Sequence, residues 1–240
     1  MKTIIKATTD SIYCSDFMTE IPAGIINKKE TGVGLTALAL EDDNPTIIAV
    51  PTIEVIKNKV AQYPNSRRLD NVFGYYADIK LKELTYYIDN TTVPKIIVTY
   101  DSFSKVANLI DKNKFRVVVD EFSDLLDAYS YRDKAIDSLL NSVSNFSHVS
   151  YISATPIKPE YYPKQLVGLD EYEIDWGSYQ QVAVTRKKTN KPYLNVCSII
   201  ENYKTAGEQG LLMPNGSYSK TAYFFVNSVN SIINIIDTAS

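Results

Sequence analysis

Residues 24–40 read GIINKKETGVGLTALAL. Gly24–Ile26 is a short apolar segment of the kind that forms a buried strand, and the ALAL that closes the stretch is helix-like. Between them, Lys28–Thr36 reads KKETGVGLT. Strand, glycine-bearing turn and helix, in that order, is the context a phosphate-binding loop needs. Gly32 and Gly34 let the backbone N–H groups of Thr31, Val33 and their neighbours turn toward a phosphate, and the start of a helix adds favourable partial charge. The usual pattern is G-x-x-x-x-G-K-[ST]. Here Lys29 stands at the first glycine position and Leu35 at the lysine position, while Thr36 falls where a hydroxyl would coordinate Mg²⁺. The lysine normally bridges the terminal phosphates. Lys28 and Lys29 lie at the entrance of the loop, and either would restore the charge by folding back over the β- and γ-phosphates. The other reading is two solvated lysines before a turn, and GVGLT alone also fits a strand–turn–helix connection with no ligand.

Outward from this stretch, short β-branched runs alternate with amphipathic segments. That alternation predicts an α/β fold with a central, mostly parallel sheet and helices on both faces. Strands are expected at Gly24–Ile26, Thr46–Val50, Lys95–Thr99, Phe115–Asp120 and Val149–Ser153. Helices are expected at Ile53–Tyr63, Asp78–Ile88, Asp101–Ile110 (capped by Asp101 or Ser102) and Arg132–Val143. After Pro156 the texture changes, with Pro159, Pro163 and the single Trp176. The domain reading is therefore 1–156 as one α/β domain, 157–180 as a connector with a strand near Tyr172–Ile174, and 181–240 as the incomplete beginning of a second. In that last part a strand is expected at Gln181–Thr185, a helix at Leu194–Lys204, a loop at Glu208–Tyr218, and a strand–helix pair at Ala222–Val226 and Val229–Ile236.

Two further strand ends carry chemistry. In FRVVVDEFSDLL, the strand Val117–Val119 ends in Asp120 and Glu121. Acidic side chains at the carboxyl end of a central parallel strand face the crevice where α/β proteins bind ligands. Asp120 would hold Mg²⁺ through water, and Glu121 would orient or deprotonate an attacking water. The plain alternative is acid at a helix start, where it suits the helix dipole. In YISATP, Ser153 and Thr155 follow the next strand and are placed to hydrogen-bond the Asp–Glu strand end.

Taken in order, the loop, the DE after a strand and the SAT after the next strand resemble the superfamily 2 helicases and translocases, the DEAD/DEAH-like group. IIAVPT, with Pro51 and Thr52, looks like the motif that grips a nucleic-acid backbone. IIVTYDSF, with Thr99 and Ser102, looks like the later backbone-contact motif. DEFS is similar to the DEAD-type box, SATP to its coupling motif, and YFFVNSVNSI (Tyr223–Ile232) to the opening strand of the second motor domain. The resemblance implies a RecA-like P-loop NTPase fold that binds ATP and Mg²⁺. It implies loop residues Gly32, Val33, Gly34, Leu35 and Thr36 around the phosphates, Thr36 and Asp120 on Mg²⁺, and Glu121 on the water. Ser153 and Thr155 would couple nucleotide state to the second domain. Pro51, Thr52, Thr99 and Ser102 would line a track for single-stranded or duplex nucleic acid, contacting phosphate and sugar without reading sequence. The remainder of a second motor domain, or a partner protein, would supply the arginine-bearing motif. No upstream glutamine motif for adenine is evident.

Composition narrows the field. The chain has 240 residues, is 45% hydrophobic and 22% charged, and carries a net charge of −3. That excludes disordered and collagenous chains and any nucleic-acid binder held by bulk charge; a local patch must serve. Two cysteines, Cys14 and Cys197, and one histidine, His148, make neither a disulfide framework nor a histidine-rich metal site. No apolar run spans a membrane and no secretory signal opens the chain, so a cytoplasmic protein without membrane association is expected. Arg67 and Arg68, in a polar turn, are read as a solvated pair or a phosphate contact. The tyrosine doublets 75–76, 86–87 and 161–162 are read as half-buried packing or as stacking surfaces for single-stranded bases. Two other functions compete: a non-hydrolysing P-loop-like module (a pseudo-ATPase) that binds nucleic acid or a partner protein, favoured by Leu35, and a small-molecule kinase, for which no lid or substrate pocket is apparent.

Overall fold

The computed structural model describes residues 2–63, 72–155, 157–177, 188–213, 216–224, 232–233 and 235–236, with the backbone alone over 126–133. Arg67, Arg68, the expected strand at Gln181–Thr185 and residues 225–231 lie outside the described residues. Two compact units divide the chain, Met1–Tyr179 and Gln180–Ser240.

The first unit is built on ten-odd segments of alternating type. Its strands are β1 (Lys2–Lys6), β2 (Gly24–Asn27), β3 (Thr46–Val50), β4 (Phe73–Tyr75), β5 (Lys95–Thr99), β6 (Arg116–Asp120), β7 (Val149–Ser153) and β8 (Glu171–Asp175). Its helices are α1 (Leu35–Glu41), α2 (Ile53–Gln62), α3 (Leu81–Asn90), α4 (Phe103–Ala107) and α5 (Ser123–Val143). The strands form one sheet in the order β1-β8-β2-β7-β6-β3-β5-β4, and every pairing is parallel. Neighbouring residues within a strand point to opposite faces, and both faces are apolar. Ile25, Ile47, Ile96, Val117 and Tyr151 bury one face under Leu84 of α3, Phe103 of α4 and Leu139 and Val143 of α5. Ile26, Ile48, Ile97, Val118 and Ile152 bury the other with Leu35, Leu38 and Leu40 of α1 and Ile56 of α2.

Three of the expected strands form over the residues read from sequence, and the helix after β3 begins at Ile53 as expected. Elsewhere the differences have local causes. The helix after β6 starts at Ser123 rather than Arg132. Its first turns hold few apolar residues in register, but Phe122 and Leu125 are both buried and anchor it early. The helix expected over Asp101–Ile110 is a 3₁₀ turn, Tyr100–Ser102, followed by the five-residue α4. Ser102 occupies the cap position, yet its side chain makes no cap hydrogen bond. The strand expected near Tyr172–Ile174 forms as β8, but it joins the main sheet between β1 and β2 and so ties the segment read as a connector into the first unit. The end strands β1 and β4 were not anticipated: one has a half-exposed alternating pattern, the other is only three residues long.

At the amino end of the sheet, the fully buried Lys95 ammonium donates to the Asp42 carboxylate (2.6 Å), the Ala39 carbonyl (2.7 Å) and Thr46 Oγ1 (3.3 Å). These bonds tie the end of α1 to β3 and β5. No described helix is long and apolar enough to cross a membrane.

Among its described residues, the second unit holds α6 (Pro192–Ala206), a 3₁₀ turn (Gly207–Gln209) and an antiparallel pair, β9 (Leu211–Leu212) with β10 (Tyr218–Ser219). The expected loop at Glu208–Tyr218 thus contains a small hairpin. Tyr203 Oη donates to Ser219 Oγ and the Thr221 carbonyl, both 3.1 Å away, fastening the helix to it. Ala222–Phe224 carry no regular structure.

Asp42→Asn should leave the Lys95 ammonium buried without its countercharge. The expected loss is roughly 3–5 kcal/mol of folding stability, read as a lowered midpoint in chemical denaturation; a loss below 1 kcal/mol would show that the pair is structurally idle.

Candidate nucleotide site

The carboxyl ends of β2, β7 and β6 lie side by side, since β7 pairs with both its neighbours. The residues that leave these three strands form one constellation. From β2 the chain passes Asn27, whose Oδ1 accepts from Lys29 N at 3.0 Å. That turn puts Lys29 in the left-handed region, φ 58°. The two lysines consequently point to different places. Lys28 is 7% exposed, and its Nζ lies 2.7 Å from Glu121 Oε1 and 3.7 Å from Asp120 Oδ1. Lys29 Nζ instead meets Glu173 Oε1 of β8 at 2.5 Å, and Glu173 also receives Lys2 at 2.8 Å. Hydrogen bonds from these two lysines hold the Glu173 carboxyl below its ordinary range.

The loop itself is held from behind. Cys14 N donates to the Val33 carbonyl (2.8 Å), Trp176 Nε1 to the Lys28 carbonyl (2.9 Å) and Lys28 N to the Ser153 carbonyl (2.9 Å). Gly34 has φ 76°, and a Cβ there would already touch the Tyr13 ring at 3.5 Å. Thr31 and Gly32 are exposed, whereas the Val33 and Leu35 side chains are buried in the core. Leu35 is therefore a packing residue, only 2% exposed.

Thr36, the second residue of α1, donates from Oγ1 to Asp120 Oδ2 at 2.9 Å. Asp120 Oδ1 accepts from Glu121 N at 3.0 Å. Burial pushes the Asp120 carboxyl above its ordinary range, against the opposing pull of Lys28 and the Thr36 hydroxyl. Glu121 has φ 52°, a strained setting for a non-glycine residue of the sort found at binding and catalytic sites. Tyr100, at the end of β5, donates its hydroxyl to the carbonyls of Asp120 and Glu121, which fixes that strand end.

A cavity of about 240 Å³ lies between these groups. Loop residues 32–36 line it together with Lys28, Asp120 and Glu121, and Lys59 of α2 completes the wall. The oxygen donors on its wall are the Asp120 and Glu121 carboxylates and the Thr36 hydroxyl. These are hard oxygen ligands of the type Mg²⁺ takes alongside waters and substrate phosphates. Among the described residues no group of three or more His, Cys, Asp or Glu is placed to hold a metal unaided.

Ser153 and Thr155 bond to the neighbouring strand end through Ser123. Ser123 Oγ lies 2.8 Å from Ser153 Oγ and 3.0 Å from Thr155 Oγ1. Along β3 and β5, Thr52 is exposed and accepts from Val55 N at 3.4 Å as the cap of α2. Pro51 and Ser102 are half-buried, and Thr99 is buried at 7%. Sequence reasoning missed Tyr13, Tyr100, Trp176 and Lys59. Tyr100 sits inside the quoted TYDSF and could have been found there; the other three reach the site from segments that bear no motif.

No protein-family model and no curated relative matches the chain. Solved structures do. Mss116p, bound to single-stranded RNA and AMP-PNP, aligns over 81% of this chain and 47% of its own, at 14% identity and TM-score 0.50. A DEAD box protein from Methanococcus jannaschii aligns over 76% and 53% at 14% identity and TM-score 0.47. The Hef helicase domain of Pyrococcus furiosus aligns over 90% and 50% at 15% identity and TM-score 0.46. The chain thus spans about half the length of each of these structures, and its first unit shares the RecA-like parallel α/β fold seen in the Mss116p structure.

Asp120 binds its proton more tightly folded than unfolded, so its contribution to stability is full below about pH 4 and is lost as pH rises through the elevated folded value. Asp120→Asn keeps an acceptor for Thr36 and removes this loss. Its melting temperature should exceed the wild type's at neutral pH, with the difference closing as pH falls toward about 4. A wild-type curve that runs parallel to the variant's from pH 4 to 8 would contradict the assignment.

Proposed function

We propose that the first unit binds a magnesium–nucleoside triphosphate and serves as the ATP-binding motor domain of a helicase-like protein. In this reading hydrolysis is coupled to movement along, or unwinding of, nucleic acid. The observation that carries it is the meeting of Lys28, Thr36, Asp120 and Glu121 at the mouth of a glycine loop, although these residues are far apart in sequence. The solved Mss116p structure with the same fold holds AMP-PNP and single-stranded RNA.

Each residue has a task. The amides of Thr31, Gly32, Val33 and Gly34 cradle the phosphates. Lys28 takes over the charge that Leu35 does not provide: its ammonium rests against Glu121 and Asp120 and turns to phosphate oxygens when the nucleotide enters. Thr36 and Asp120 would hold Mg²⁺, which supplies charge neutralisation at the β- and γ-oxygens when bound. Glu121, released by Lys28, accepts a proton from the attacking water or orients it. Ser153 and Thr155 sense that strand end through Ser123. The exposed Thr52, with Pro51, Ser102 and the underlying Thr99, offers neutral contacts to a nucleic-acid backbone. Residues 181–240 would open a second motor domain, whose remainder, or a partner protein, would complete the hydrolytic site.

Titration of the 240-residue chain with a fluorescent ATP analogue and Mg²⁺ tests the reading. Lys28→Ala should weaken binding by about tenfold or more, the value of a charge-assisted hydrogen bond. Lys29→Ala, which breaks only the Glu173 pair, should stay within about twofold. Equal affinities for wild type and both variants would remove Lys28 from its role. In a chain extended through the second domain, single-stranded DNA or RNA should stimulate ATP turnover; tight ATP binding with no turnover would instead mark a non-hydrolysing module.

A further inference from the structure

Lys28 alone leaves the cavity electrostatically unsuited to an anion. It holds two carboxylates, Asp120 and Glu121, and the Lys28 ammonium is already committed to both. The protein groups on the wall then sum to a net negative charge, part of which Mg²⁺ would offset, and a further cation on the wall favours a polyphosphate. Lys59 is the remaining cation on that wall. It belongs to α2, three residues after Ile56, which is fully buried. Ile56 shares a core cluster with Leu35, and Val60 packs against the same cluster. The apolar layer that Leu35 joins thus seats α2 beside the loop and fixes the point from which the Lys59 side chain reaches the cavity. Lys59 is half-buried and lines the cavity, and its charge acts on the Asp120 carboxyl, without a hydrogen bond or close ion pair among the described residues. Lys57, two residues earlier, is exposed, stands 5.8 Å over the Tyr76 ring and does not line the cavity.

We propose that Lys59 contacts the phosphate chain of the bound nucleotide, so that positive charge reaches the cavity from α2 as well as from Lys28 of the loop. This rests on the nucleotide reading above and adds a specificity residue to it: Lys59 rewards the polyphosphate and ignores the base.

Calorimetric titration of the 240-residue chain, with Mg²⁺, by ATP and separately by inorganic tripolyphosphate tests the assignment. Lys59→Met should weaken both probes by about tenfold or more and by similar factors, with a shallower dependence on salt. Lys57→Met should stay within about twofold of wild type. Lys59→Arg should recover most of the affinity. If methionine lowers the melting temperature, Lys59→Gln serves in its place. Wild-type affinity in Lys59→Met, for a wild type that does bind ATP, overturns this inference and leaves the nucleotide site standing. A wild type that binds neither probe overturns both.

Discussion

A buried ammonium between two carboxylates joins the chain leaving β2 to the chain leaving β6, with β7 between them. Lys28, Asp120 and Glu121 are charged groups drawn largely out of water, and such a cluster is tolerable only when each charge faces its opposite. Thr36 and the Glu121 amide satisfy the Asp120 oxygens. The arrangement is stable enough to exist yet poorly compensated, because burial still works against the Asp120 carboxylate.

The sheet is what brings these residues together. Parallel strands all end on the same side, and their connecting helices return the chain to the other side. Lys28, Asp120, Glu121, Ser153 and Thr155 therefore collect at one edge, while the Lys95–Asp42 pair collects at the opposite one. The candidate site and the Lys95–Asp42 fastening occupy different ends of the same layer. The amino edge can be bonded rigidly without constraining the carboxyl edge, where two non-glycine residues, Lys29 and Glu121, adopt left-handed backbone.

Leu35 stands where the G-x-x-x-x-G-K-[ST] pattern has its lysine. Leu35 is part of the apolar layer shared with Ile56, so the position has become a packing position. Charge reaches the cavity from either side of it, from Lys28 at the end of β2 and from Lys59 on α2. Support also comes from Tyr13, Cys14 and Trp176, which brace the loop from segments far away in the chain.

Much of this was legible in the residues. Continuous β-branched runs such as TIIAV and KIIVT mark strands buried on both faces, and GVGLT, DEFS and SATP each sit at or just after a strand end. The amino-acid order by itself therefore determined the α/β class, the parallel sheet, most strand positions and the set of strand ends that carry polar chemistry, because those depend on local periodicity and turn residues. It left Lys28 and Lys29 equivalent, gave no sign of Lys59 or of Trp176 bracing the loop, and found the β8 strand without its place between β1 and β2. Only the tertiary structure decided these. A side chain's direction follows from one turn's geometry, here the Asn27-bonded bend that swings Lys29 toward Glu173. A strand's neighbour follows from which long-range contacts bury the most apolar surface. Neither is encoded in the spacing of residues along the chain.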